Sequence, residues 1–197
     1  MGFTRADLER FRGRPVDDLI GPAPRLLFVG INPSLWTAAV NAHFARPGNR
    51  FWPALHRAGI VERPIDASAG LSVDDVVHLQ VRGVAITNLV NSATARADEL
   101  SVDQLRAGAD RLRATVRRVR PRVVAVLGLT AYRAAFGVRG GTPGRQPEQL
   151  EDAELWVLPN PSGLNAHETL DSLAAAYASA ARAAGISLRS IPRRGDR

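Results

Sequence analysis

The apolar run Leu26-Leu27-Phe28-Val29 stops at Gly30-Ile31-Asn32-Pro33-Ser34, and this junction constrains the fold more than any other feature of the chain. An unbroken apolar run closed by a turn reads as a strand buried on both faces, which belongs in a parallel sheet. Ligands of open α/β sheets bind at the carboxyl ends of the strands, so the uncharged amide of Asn32 is aimed at a cleft. The same design recurs downstream. Leu155-Trp156-Val157-Leu158 runs into Pro159-Asn160-Pro161-Ser162-Gly163-Leu164-Asn165, which can supply the opposite wall.

Between these two junctions, strands and helices alternate. Arg25 to Val29, Val84 to Leu89, Arg122 to Leu127 and Leu155 to Leu158 read as strands. Asn49 to Ala58, Leu71 to Gln80 capped by Ser72, Ser101 to Arg120 stopped by Pro121, and His167 to Ala184 read as helices. Thr130 is expected to cap a helix over Ala131 to Phe136, and 139–145, rich in glycine, to be a flexible loop. The pattern predicts a three-layer α/β/α fold with a central four-stranded, mostly parallel sheet. At 197 residues the chain fits one domain over 1–197. Residues 1–24, with a short helix near Arg5 to Arg12, and 190–197 are expected to be irregular.

Composition narrows the chemistry. Cysteine is absent, which removes disulfides, zinc-thiolate sites and iron-sulfur clusters. His43, His56, His78 and His167 have no metal-ligand spacing, so neither metal nor cofactor is expected. No long apolar stretch or basic-apolar leader indicates a membrane or export, and a cytoplasmic, nucleoid-associated monomer is expected. The net charge of +7 and pI near 11.3 favour an anionic partner, nucleic acid first. All 26 basic residues are arginine. The dense run Arg111, Arg113, Arg117, Arg118, Arg120 and Arg122 reads mainly as a solvated helix face. Gly137, Gly140, Gly141 and Gly144 match neither a P-loop nor a dinucleotide fingerprint.

Gly30-Ile31-Asn32-Pro33, then Phe44, Pro47 and Asn49-Arg50-Phe51-Trp52, and finally Asn160-Pro161-Ser162-Gly163-Leu164 are similar in order and spacing to the signature of the mismatch-specific uracil-DNA glycosylases, the family that includes thymine-DNA glycosylase. The likeness runs from about Pro24 to about Ala181. It implies the uracil-DNA glycosylase-like form of the fold, and double-stranded DNA carrying uracil or a damaged pyrimidine as partner. It also implies hydrolysis of the N-glycosidic bond after the target nucleotide flips out.

The resemblance assigns roles residue by residue. Asn32 positions the attacking water. Phe44 stacks on the flipped base, while Ile31 and Phe44 offer backbone amides to the pyrimidine oxygens. Gly163, Leu164 and Asn165 form a wedge that enters the stack, with Asn165 reaching the orphaned guanine and Ser162 a phosphate. Asn49 belongs to the substrate-binding set. Thr37 either approaches the pyrimidine C5 or is a solvent-facing loop residue.

Two departures bear on substrate preference. Ser34 stands where the family has glycine, and Asn88-Leu89-Val90-Asn91 matches the family's third segment only loosely, with Asn91 where an acidic residue is common. Backbone-cutting glycosylases attack with an amine, usually lysine; a chain without lysine is expected to use water and leave an abasic site. A glycosylase of other specificity, on hypoxanthine or single-stranded uracil, and a noncatalytic lesion-binding protein stay open as alternatives.

Overall fold

The computed structural model describes residues 2–190. Strands β1 (Leu26–Gly30), β2 (Val84–Asn88), β3 (Val123–Leu127), β4 (Gly144–Leu150) and β5 (Ala153–Leu158) form one sheet in the order β2-β1-β3-β5-β4. All neighbouring pairs are parallel except β4 with β5. The sheet therefore has five strands, one more than the sequence pattern predicts.

The helices are α1 (Arg5–Glu9), α2 (Leu35–Val40), α3 (Phe51–Arg57), α4 (Val73–Val81), α5 (Val102–Val119), α6 (Leu129–Phe136) and α7 (Leu170–Ala183). The period-two alternation of β1 divides the core between two helical layers. Leu26 and Phe28 point to one side, where Phe51 and Leu55 of α3 and Leu173 and Tyr177 of α7 cover them. Leu27 and Val29 point to the other, against Leu105, Leu112 and Val116 of α5 and Tyr132 of α6. Because both faces are covered, β1 and β3 are buried at every position.

The expected caps on α4 and α5 are present as capping boxes, Ser72 with Asp75 and Ser101 with Gln104. Thr130 caps nothing, since α6 begins two residues earlier than expected, at Leu129, with Gly128 in the N-cap position. Within residues 2–24 the short helix expected near Arg5 to Arg12 is present as α1, and the chain after it, expected to be irregular, is tied to the sheet. A capping box of Thr4 and Asp7 opens α1, and Leu19 exchanges backbone hydrogen bonds with Ile86 on the outer edge of β2. Most of 190–197 lies outside the described residues.

The segment expected to be a flexible loop is tied down. Arg133 donates to the Gly141 carbonyl at 2.7 Å, and buried Gln146 donates to those of Thr142 and Gly144. Gly144 then enters β4. No described helix is long and apolar enough to cross a membrane.

Candidate active site

Four parallel strands end on one cleft of about 560 Å³, lined by Gly30 of β1, Asn88 of β2, Leu127 of β3 and Asn160-Pro161-Ser162 after β5. Ile31, Asn32, Ser34, Thr37, Phe44, Asn49 and Leu164 also line it. The two junctions thus meet at one place, although Gly163 and Asn165 of the second are not among the lining residues. The arginines of 111–122 do not line it; Arg113 and Arg117 lie by Glu151, and Arg113 also sits over the Phe136 ring.

Asn32 is oriented by its surroundings. Its Nδ2 donates to Thr94 Oγ1 at 2.7 Å, to the Pro33 carbonyl at 3.1 Å and to the Ser92 carbonyl at 3.2 Å. The Thr94 hydroxyl proton goes to the Arg96 carbonyl, so its oxygen must accept from Asn32. Carbonyls cannot donate, which settles which amide atom is nitrogen. Oδ1 is left without a donor among the described residues, an acceptor held at the cleft wall.

Phe44 sits on a rigid support. Its ring stacks on Phe51 with centroids 4.0 Å apart, and the Trp52 indole donates to the His43 carbonyl at 3.0 Å. These two aromatics of α3 over-determine a turn in which Phe44 adopts φ 55°, a left-handed conformation that costs a bulky residue energy. The amide N–H groups of Ile31 and Phe44 have no partner within the described residues, which leaves them free for a ligand acceptor.

Asn88, which the sequence reading does not place in the site, forms part of the floor. Its Nδ2 donates to His43 Nδ1 at 3.3 Å, and His43 Nε2 donates to the Asp17 carbonyl at 3.0 Å. Burial pushes the His43 pKa down to about 4, so the ring stays neutral and keeps an accepting Nδ1 for Asn88. A β-carbon at Gly30 would lie 2.4 Å from Asn88 Oδ1 and 3.1 Å from the Phe44 ring, so only glycine leaves the floor open. His43 and Asn88 are 45 residues apart in sequence. No local spacing signals the pair.

The depressed His43 pKa has a measurable consequence. From about 6.5, where the unfolded chain takes the proton, down to about 4, where the folded one does, the unfolded state binds more protons. The His43 contribution is therefore fully present above 6.5 and is lost as pH falls through that window. Urea unfolding of His43→Gln is expected to show a shallower loss of stability between pH 6.5 and 4 than the parent; parallel curves would refute this.

Other expected site residues have local duties. Ser34 caps α2, accepting from the Thr37 amide at 3.2 Å and donating to Thr37 Oγ1 at 3.0 Å. Thr37 is neither solvent-facing nor on a loop: it lies in the first turn of α2 and is buried. Asn49 Oδ1 accepts from the Phe51 amide at the start of α3.

In the second junction, Asn160 Oδ1 accepts from the Ser162 amide, and Ser162 Oγ from that of Leu164. Asn165 is turned into its own loop, Nδ2 to the Asn160 carbonyl and Oδ1 from the His167 amide. Leu164 stands out at 82% exposure. Asn91, the other departure, is structural: its amide pairs with both backbone groups of Val16.

The inner wall carries no charge. The charged lining residues are all exposed: Arg46, and Arg96 paired with Asp98 at 2.5 Å. Among the described residues no group of three or more histidines, cysteines and carboxylates could hold a metal ion.

Comparison with known proteins gives this arrangement a family. The sequence profile of the Uracil DNA glycosylase superfamily matches residues 18–181. The fold is also that of a Methanosarcina acetivorans protein solved by solution NMR and described as a candidate uracil DNA glycosylase. The TM-score is 0.60 at 15% identity, over 87% of this chain and 98% of that one. At that identity the likeness establishes the fold alone.

Proposed function

Since the chain belongs to the Uracil DNA glycosylase superfamily, whose members are DNA glycosylases, we propose that it is a monofunctional glycosylase of the mismatch-specific group, hydrolysing the N-glycosidic bond of uracil in duplex DNA, above all opposite guanine. The observation that carries this reading is Asn32, its Nδ2 spent on the protein and its Oδ1 held free in a cleft floored by Gly30 and flanked by Phe44. The flipped pyrimidine stacks on Phe44, and the free amides of Ile31 and Phe44 meet its oxygens. As the C1′–N1 bond breaks, its electron pair passes to the base, and those amides stabilise the anion. Asn32 Oδ1 accepts a hydrogen bond from the water that bonds to C1′; the water's proton leaves to solvent or to the departing base. The products are free uracil and an abasic site in an uncut strand.

A panel of labelled oligonucleotides tests this, carrying uracil opposite guanine, opposite adenine or unpaired, or hypoxanthine or thymine opposite its partner. Alkali-dependent cleavage at uracil, fastest opposite guanine, with no break before alkali, is expected. Binding without abasic product on every substrate would make the protein a noncatalytic lesion binder, and cleavage before alkali would overturn the water mechanism.

Leu164→Ala removes an exposed side chain, so the fold should be unaffected. Unstacking costs a few kcal/mol, and losing the wedge is expected to slow excision roughly tenfold opposite guanine, less opposite adenine and least in single strands. Equal losses on all three substrates in single-turnover assays would remove Leu164 from that role.

A further inference from the structure

Among the described residues, Arg50 is the one side chain that grips the exposed loop after β5 at several points. One terminal nitrogen, Nη2, donates to the carbonyls of Ser162 and Asn165, both at 2.8 Å, while Nη1 donates to that of Glu168. Its backbone amide donates to the Pro161 carbonyl at 3.0 Å. No described carboxylate forms an ion pair with it, and its Nε is buried without a partner. A half-buried guanidinium with an unpaired N–H is a costly fastener if loop stability were its only use.

Its neighbours give it another use. Asn49 lines the cleft, and Phe51 lies under the Phe44 ring. The loops are also in direct apposition, since a β-carbon at Gly163 would lie 2.7 Å from the Gly48 carbonyl.

We propose that Arg50 is a positioning residue, locking the loop that carries Leu164 to the platform that carries Phe44, so that wedge and base pocket meet the duplex as one rigid unit. The proposal rests on the glycosylase reading above. The guanidinium draws three loop carbonyls inward and Leu164, lying between the first two acceptors, is left on the outer side. Binding then need not order the loop, and the flipped base arrives at a fixed distance from its stacking partner.

The experiment compares Arg50→Gln and Arg50→Lys with the parent and with Leu164→Ala. Excision from a G:U duplex by Arg50→Gln is expected to fall on the order of 10- to 100-fold, the scale of a positioning defect, with a much smaller fall on single-stranded uracil. Arg50→Lys keeps the charge but loses the planar fork, and should fall between. Combining Arg50→Gln with Leu164→Ala should add little to the larger single loss, because both act through the wedge. Chymotrypsin should cut at Leu164 faster in Arg50→Gln while its thermal midpoint stays within a few degrees of the parent.

Equal losses on duplex and single strand, additive losses in the double variant, or unchanged cutting at Leu164 would each overturn the proposal. If Arg50→Gln does not fold, Arg50→Lys carries the same comparisons. A parent protein inactive on both substrates would refute the glycosylase reading instead, and the proteolysis arm would still decide whether Arg50 clamps the loop.

Discussion

Asn32→Ala is expected to slow single-turnover excision on the order of 10²- to 10³-fold, the range found when one preorganised polar contact to a transition state is removed. The substitution deletes the only part of Asn32 free to act on a water, Oδ1, while leaving Phe44, Asn88 and Gly30 in place. It also strips donors from Thr94 and the Ser92 and Pro33 carbonyls, which should cost about 1–3 kcal/mol of stability.

Asn32→Asp separates the two effects. A carboxylate can hold a water as well as an amide can, but its second oxygen would face two carbonyls, so this variant should be the less stable of the two. Quenched-flow product formation measures the rate and thermal unfolding the stability, with DNA affinity read separately by fluorescence anisotropy. A rate within a few-fold of the parent in Asn32→Ala would remove Asn32 from the chemistry.

Gly30→Ala is expected to be nearly as damaging, for a steric reason. The added methyl would sit 2.4 Å from Asn88 Oδ1, and neither neighbour can withdraw easily: His43 holds Asn88 and Phe51 backs Phe44. Overpacking of this kind costs about 1–3 kcal/mol. Displacing the floor of the pocket by a fraction of an ångström should lower the excision rate on the order of 10²-fold. Thermal unfolding and single-turnover rates on the same preparation distinguish a misshapen pocket from an unfolded protein. Parent-like excision would mean that the base does not reach the floor.

Much of this was legible in the chain because strand ends, caps and core aromatics are local signals. The apolar run into Gly30-Ile31-Asn32-Pro33 announced a buried parallel strand whose carboxyl end lies at the cleft. Ser72 and Ser101 announced two helix starts, and Phe51 and Trp52 are buried on the helix read over Asn49 to Ala58. What was missed depends on distant partners. In β4, Arg145-Gln146-Pro147-Glu148-Gln149 has no apolar alternation and becomes a strand only because β5 offers it an edge.

The short α2 did leave a trace, Ser34 three residues before Thr37, but following Asn32-Pro33 it read as more loop. Asn88 opens a segment that only loosely matches the family's third motif, and His43, which orients it, comes from a different element. Arg50 was hidden for a related reason: its acceptors are backbone carbonyls, which leave no mark on the sequence.

The two outer strands bear on self-association. At one side of the sheet, Leu19 occupies both backbone groups of Ile86, the middle residue of β2. At the other, β4 has a register irregularity between Arg145 and Gln149, and Pro147 within it has no N–H to offer. A strand from a second molecule arriving at either border finds an occupied, kinked or donorless ladder and charged side chains at Arg145 and Glu148. Neither border therefore offers a second copy the long, regular ladder that strand addition needs. Loss of solubility is accordingly a hazard of altering Leu19 or Pro147, far more than of altering the cleft.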